Sequence, residues 1–234
     1  ILVLFIIGLM TSCALKPHEE ESAKETSSGS AVTQAPQEAA GESQDISQEE
    51  TTLLSGRNGD GLSWTLDDEG ILTFHGVGPL EENSYYASWY DFRESVKTVI
   101  VENGITAIGP YVFADCNHLE SVRIPASVTD ISAGTFWASE GLLQIEVDEG
   151  NSAFSSVDGV LFNRNKTVLY VYPAGRSGDY TIPDSVIDIA EAAFCSCDRL
   201  SSLTLGSNVH GIDGIVKEDA MLGSISNLEN IEVT

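Results

Sequence analysis

The chain predicts a repeat solenoid, β-rich and of the α/β kind. Three observations predict it. Apolar residues recur at a fixed step of 23 positions. Inside each copy they alternate as strand residues do, and a large aromatic residue returns at one place in the copies. The unit is plainest from Val99 to Pro125. Val99 and Val101 alternate with outward positions, then Ile105, Ile108, Val112, Phe113, Cys116 and Leu119 follow. At Val122 and Ile124 the pattern starts again. Units of this kind cannot bury their apolar face alone; stacked, each packs on its own equivalents and the core becomes continuous.

Composition sets the outer bounds. The 234 residues carry 36 acidic and 11 basic side chains, a net charge of −25. Nucleic acids and anionic membrane surfaces are bound through Lys/Arg clusters, so this balance argues against both as partners. An apolar content of 42% is enough for a sizeable core.

The first element is ILVLFIIGLM, an uncharged apolar run too short to span a bilayer. It fits the apolar part of a secretory signal whose charged start is missing. Thr11, Ser12 and Cys13 follow. A small residue directly before a cysteine, after such a run, looks like the lipobox of bacterial lipoproteins. That resemblance implies cleavage before Cys13 and lipidation of its sulfur, with residues 1–12 as the truncated signal. Residues 13–55 are acidic, lack aromatic residues and are rich in Ser, Thr, Gln and Ala. Such a segment buries too little apolar surface to offset ordering entropy, and is expected to be a disordered spacer. As a coil it spans roughly 35 Å, enough to hold a folded part off a membrane.

Residues 56–95 are expected to form a β cap. Leu62, Trp64 and Leu66 alternate with polar residues, Asp67 to Gly70 supply a turn, and Ile71, Leu72 and Phe74 answer them. The aromatic cluster Tyr85, Tyr86, Trp89, Tyr90 and Phe92 then packs the cap on the first repeat or offers stacking surface to a sugar.

Residues 96–234 hold the repeats. One strand column is Val101, Ile124, Val147, Ile182, Leu205 and Val233; another is Val99, Val122, Ile145, Tyr180, Leu203 and Ile231. Further columns are Ile105, Val128, Val186 and Val209, and Ile108, Ile131, Ile189 and Ile212. The aromatic position is Phe113, Phe136 and Phe194, with Met221 displaced from it. The step from Val147 to Ile182 is 35 positions, not 23. Two apolar β-type runs around Asn163 to Lys166 account for it, as a hairpin insert at about 148–178. A smaller irregularity falls at Gly214 to Asp219, where Lys217 occupies the expected aromatic position.

The segments Arg123-Ile124-Pro125-Ala126-Ser127-Val128-Thr129-Asp130-Ile131 and Thr181-Ile182-Pro183-Asp184-Ser185-Val186-Ile187-Asp188-Ile189 resemble the BspA-like bacterial surface leucine-rich repeats, type 5. So do Ala193-Phe194-Cys195-Ser196-Cys197, the Asp158–Phe162 and Tyr172–Gly175 segments of the insert, and the leading Trp64-Thr65-Leu66 unit. The resemblance covers about residues 56–234. It implies a right-handed leucine-rich-repeat superhelix, with parallel strands on one face and short helical turns on the other. It also implies a bacterial surface protein that binds host or matrix proteins or other cells. Trp137 in a normally small position, and Ser139 where other copies carry cysteine, depart from the pattern.

Catalytic and metal chemistry find no footing in the motifs. His18, His75, His118 and His210 are scattered and show no ligand spacing. No nucleophile elbow or phosphate loop is present in the sequence. Cys116 and Cys197 share a repeat position in non-adjacent copies, beyond disulfide reach, and are expected to be small buried apolar residues. No enzyme activity and no cofactor are expected.

The strand faces point instead to a surface. Thr98, Ser121, Gln144, Asp179 and Ser202 form one outward row, and Ile100, Arg123, Glu146, Thr181 and Thr204 another. These ten residues are the candidate binding face, and Trp89 and Trp137 the candidate aromatic contacts. The expected function is that of a lipid-anchored, outward-facing cell-surface protein, bound at the membrane by its anchor only, whose solenoid binds a protein or glycan. A carbohydrate-binding module and a passive envelope spacer are the alternatives.

Overall fold

A computed structural model describes residues 53–58, 61–81 and 87–210, and the backbone of 230–233. Cys13, Tyr85, Tyr86, Ile212, Lys217 and Met221 lie outside the described residues, as do the signal and nearly all of the spacer.

The solenoid is built from two strands per turn. The longer set begins with β1 (Leu54–Arg57), β2 (Leu62–Leu66) and β3 (Ile71–Gly76). These pair antiparallel, with Trp64 opposite Phe74. A shorter strand, β4 (Gly78–Leu80), follows, and then β5 (Thr98–Val101) returns to pair parallel with β3. The stretch expected to form a β-hairpin cap contains that hairpin in β2 and β3, and β3 joins it directly to the repeat sheet. β6 (Ile105–Ile108), β7 (Ser121–Ile124), β8 (Asp130–Ile131) and β9 (Gln144–Val147) complete two more turns. The long strands make one six-stranded sheet in the order β1-β2-β3-β5-β7-β9; the short ones make a second, β4-β6-β8.

The alternation read from sequence is the burial seen. Val99, Val101, Val122, Ile124 and Ile145 point into the core, as do Ile105, Ile108, Val128 and Ile131. Phe113 sits at the centre against Phe74, Trp89 and Phe136, with ring centroids 5.7, 6.1 and 5.7 Å away. The sequence-expected aromatic column is thus physical stacking: Phe113 and Phe136 lie 19° from parallel.

The insert is larger than a hairpin. It comprises β10 (Phe154–Val157), β11 (Val160–Asn163) and β12 (Val168–Val171), paired antiparallel in that order. β12 then pairs parallel with β14 (Asp188–Ile189), the counterpart of β8 two repeats on. So β12 stands in for the short strand that the insert displaced. All of Val160, Leu161 and Phe162 are buried, because β11 is a wall between two cores. Leu161 belongs to the core of the first turns; Val160 and Phe162 face the second. After the insert, β13 (Gly178–Thr181), β15 (Leu200–Leu205) and β16 (Asn230–Val233) form a three-stranded parallel sheet.

The turns opposite the strands correct one expectation. They are not helical. Among the described residues, the one helical segment is a 3-10 helix at Tyr90–Ser95. The repeats instead run through tight turns with left-handed residues on both sides of the buried phenylalanine. Tyr111, Gly134 and Ala192 have φ of 58°, 71° and 59° two positions before it. Asp115, Ala138 and Ser196 have φ of 57°, 55° and 59° two positions after it. A left-handed residue interrupts any right-handed helix, and two per turn leave no room for one.

Candidate functional site

Register turns the outward strand positions into rows. Thr65, Thr73, Ile100, Arg123 and Glu146 are successive partners across five strands. Beside them run Ile71, Thr98, Ser121 and Gln144. On the β13-β15-β16 sheet, Asp179 partners Ser202 and Thr181 partners Thr204, each continuing onto β16. None of the ten candidate face residues is buried, and Arg123, Gln144, Glu146, Asp179 and Thr181 are exposed. Strands about 4.8 Å apart thus present a flat grid of hydroxyl, amide and carboxylate groups. Much of the face is already knitted together. Thr98 and Ser121 share a hydroxyl hydrogen bond of 3.0 Å. Arg123 Nε donates to Glu146 Oε2 at 3.1 Å, and Gln144 reaches the other oxygen of that carboxylate.

The rows are not continuous along the whole solenoid. Beyond β9 the chain meets the insert instead of a strand: Ile145 N–H donates to Gly159 O at 2.9 Å, and Gly175 N–H to Leu142 O at 2.7 Å. At Gly175 a β-carbon would stand 2.7 Å from Gly141 O, so this close return admits only glycine. The candidate face therefore falls into two segments: Thr98 to Glu146, and Asp179 to Thr204.

Sequence reading missed the extension of the face over β2 and β3, because it assigned them to a cap. There Thr65 Oγ1 lies 2.9 Å from His75 Nε2, and His75 Nδ1 lies 2.9 Å from Glu102 Oε2. Hydroxyl, imidazole and carboxylate stand in the order of a hydrolytic triad. The surroundings do not serve that chemistry. Thr65 is the centre of a middle strand, opposite Ser55 on one side and Thr73 on the other. Its neighbouring amides belong to the ladder, where an oxyanion hole needs amides free to donate. The cluster is a hydrogen-bonded patch of the outward face.

The two aromatic candidates separate. Trp89 is 1% exposed and packs on Phe74 and Phe113, so it is a core residue and not a contact for a ligand. Its burial follows from the 3-10 helix, which lays the indole over the first turn's phenylalanine. Trp137 is half-buried on the turn side of the solenoid and meets Tyr111 edge-on at 5.9 Å.

Cys116, Cys195 and Cys197 are buried and not joined in disulfides. Burial, with Asp115 adding to it, pushes the Cys116 thiol up to about 12. Burial raises Cys197 as well. Thiols held protonated in this way are poor nucleophiles and poor ligands. Their role is shown by Ser139, which occupies the cysteine position of its own repeat. Its hydroxyl donates to Phe113 O at 2.6 Å and accepts from Cys116 N–H at 3.2 Å. Cys197 makes the corresponding longer contact to Tyr172 O at 3.6 Å. Among the described residues no group of three or more His, Cys, Asp or Glu could hold a metal ion, and no helix is long and apolar enough to cross a membrane.

Stacked strand-and-turn units with a buried aromatic column and an outward polar grid define a leucine-rich-repeat solenoid. The chain belongs to the BspA-type leucine-rich repeat family: that family's repeat region matches residues 83–168 and 176–233, in six copies. No curated protein matches it. Among solved structures it is similar to a leucine-rich repeat protein from Eubacterium ventriosum ATCC 27560, at 23% identity and a TM-score of 0.36, over 67% of this chain and 61% of that one. The pneumococcal vaccine antigen PcpA is similar at 16% identity and a TM-score of 0.44, over 74% and 68% of the two chains. A leucine rich cell surface protein from Faecalibacterium prausnitzii A2-165 is similar at 24% identity and a TM-score of 0.39, over 50% and 37%. The match thus spans 61% of the length of the first of these.

Proposed function

We propose that this chain is a lipid-anchored protein of the bacterial surface, facing outward, that binds other macromolecules through the outward face of its strands. The observation that carries the proposal is the face itself. Ten outward positions on the parallel strands of two sheets are all accessible, while every neighbouring inward position is given over to the core or its margin. A flat, hydroxyl-rich grid of this kind has donors and acceptors for a polypeptide or a glycan, and solenoids often use such faces for binding. Membership of the BspA-type family supports display at the surface. The apolar run before Cys13 and the acidic segment after it support a lipid anchor and a spacer. Trp89 takes no part in binding, so a sugar-stacking module has lost its central aromatic residue.

The anchor is tested by expressing the protein in a bacterial host behind a complete secretory signal and following its partition. The parent is expected in the membrane fraction and open to protease on intact cells, and Cys13→Ser is expected to be released. Equal partition of the two would remove the anchor. Binding is tested with a panel of matrix proteins, glycans and whole cells; failure to retain any of them would leave a passive spacer.

A further inference from the structure

The insert leaves a cleft where the aromatic column breaks. Phe113 stacks on Phe136, and Tyr172 stacks on Phe194, but between Phe136 and Tyr172 lies a cavity of about 90 Å³. Its walls include Phe136, Trp137, Tyr170, Tyr172 and Glu191. Phe136 is 8% exposed through this opening, where Phe113 and Phe194 are fully buried.

We propose that this cleft receives a lysine side chain of a partner protein. The inference deepens the reading of the chain as a macromolecule binder and rests on it, while placing a contact away from the strand face. Three features point to lysine. The first is charge. Glu191 is the one charged residue of the lining, and it is exposed. No Lys or Arg stands in the walls, and the whole chain carries −25, a field that draws cations in. The second is the wall chemistry. Aromatic rings attract an ammonium group through their faces, and apolar walls suit an aliphatic stem. Tyr172 is already taken, stacked on Phe194 and holding the Arg176 guanidinium 5.5 Å over its ring, so Phe136, Trp137 and Tyr170 are the rings left to a ligand. The third is size and saturation. The cavity matches about three water molecules, room for the end of one unbranched side chain but too little to enclose a sugar ring. The hydroxyls of Thr135 and Ser139 in its walls are already spent on backbone carbonyls, so a polyhydroxy ligand would find few partners.

Trp137 is the reporter. Trp64 and Trp89 are each 1% exposed, so a ligand in the cleft acts on the emission of Trp137. The full chain is titrated with Nα-acetyl-lysine-N-methylamide, with the norleucine analogue (same stem, no amine) and with glucose. Lysine is expected to give a saturable change at millimolar concentration, weakened by salt. Norleucine is expected to bind at least about tenfold more weakly, and Glu191→Gln to reduce the lysine response by a similar factor. Trp137→Phe is expected to remove the signal, with binding then followed by calorimetry. Equal response to norleucine, a response to glucose instead, or none to lysine at tens of millimolar overturns the proposal. These probes need no macromolecular partner. A chain that retains its macromolecule yet ignores lysine sinks this inference alone; one that binds lysine but no macromolecule sinks the broader reading.

Discussion

Tyr172 stacks on Phe194 with ring centroids 5.3 Å apart and planes 23° from parallel, the geometry of Phe113 on Phe136 one segment earlier. The backbone agrees. Tyr172 N–H donates to Ala193 O at 2.8 Å, as Phe113 N–H donates to Thr135 O at 2.9 Å. Tyr172 is therefore the missing aromatic of the interrupted repeat, delivered by the last strand of the insert.

Tyr172 and Phe113 are expected to behave as a pair. Alanine at either is expected to cost roughly 3–5 kcal/mol, as truncation of a buried large aromatic does. Tyr172→Phe keeps the ring and is expected to cost less than about 1 kcal/mol. Denaturant midpoints measure all three; a cost below about 1 kcal/mol for either alanine would show that the core lies elsewhere.

Asn151 is buried with its amide fully used. It donates to Pro125 O and Val128 O, both at 2.8 Å, and accepts from Ala153 and Phe154 N–H at 2.9 and 2.8 Å. Asn151→Ala strands buried donors and acceptors together, and a loss of roughly 2–4 kcal/mol is expected. Asn151→Asp accepts but cannot donate, so it is expected to be no better than alanine at neutral pH. Thermal unfolding of the three proteins decides it.

Ala138 holds a left-handed backbone, φ 55°, at a site where its side chain brings no compensating bond. Ala138→Gly is expected to stabilise by about 0.5–1 kcal/mol, the strain relieved outweighing the added freedom of the unfolded chain. A destabilised variant in urea would show that the alanine methyl matters more than the strain.

Stability is expected to fall in alkali. The Cys116 thiol, ordinarily near 9.0, is pushed up to about 12 by burial. The folded state keeps a proton that the unfolded chain gives up, so this contribution is complete below pH 9 and is lost as pH rises towards 12. Half-buried Tyr180 and buried Cys197 act in the same direction, both raised chiefly by desolvation. Urea midpoints are expected to drop through that window, and Cys116 and Cys197 to resist a disulfide reagent in mildly alkaline buffer. Rapid native labelling of Cys116 would contradict the burial.

The strand columns were legible because alternation and a 23-residue step both encode one buried face, and Val99, Val122 and Ile145 lie where that pattern puts them. Tyr172 was not, since the insert shifts it off the step and only pairing of β12 with β14 restores its place. The non-helical turns were not legible either. Tyr111, Ala138 and Ala192 carry no signal for a left-handed backbone, and Gly134 and Asp115, which tolerate one, do not by themselves exclude a helix. The outward rows were legible residue by residue, but their interruption after Glu146 depends on the path of the insert. Trp89 could not be assigned to core or surface until the 3-10 helix fixed its direction.

The most direct test of the account sets the full chain beside its Arg123→Glu/Thr181→Lys variant on the same panel of immobilised matrix proteins, glycans and cells. Both positions are exposed; the change at 123 sets two carboxylates opposite one another across β7 and β9, a cost of about 1 kcal/mol at most, so the melting temperature is expected to fall by only a few degrees. Binding to the parent's partner is expected to fall at least about tenfold. Undiminished binding by the variant would contradict the claim that the outward strand face is where this solenoid meets its partner.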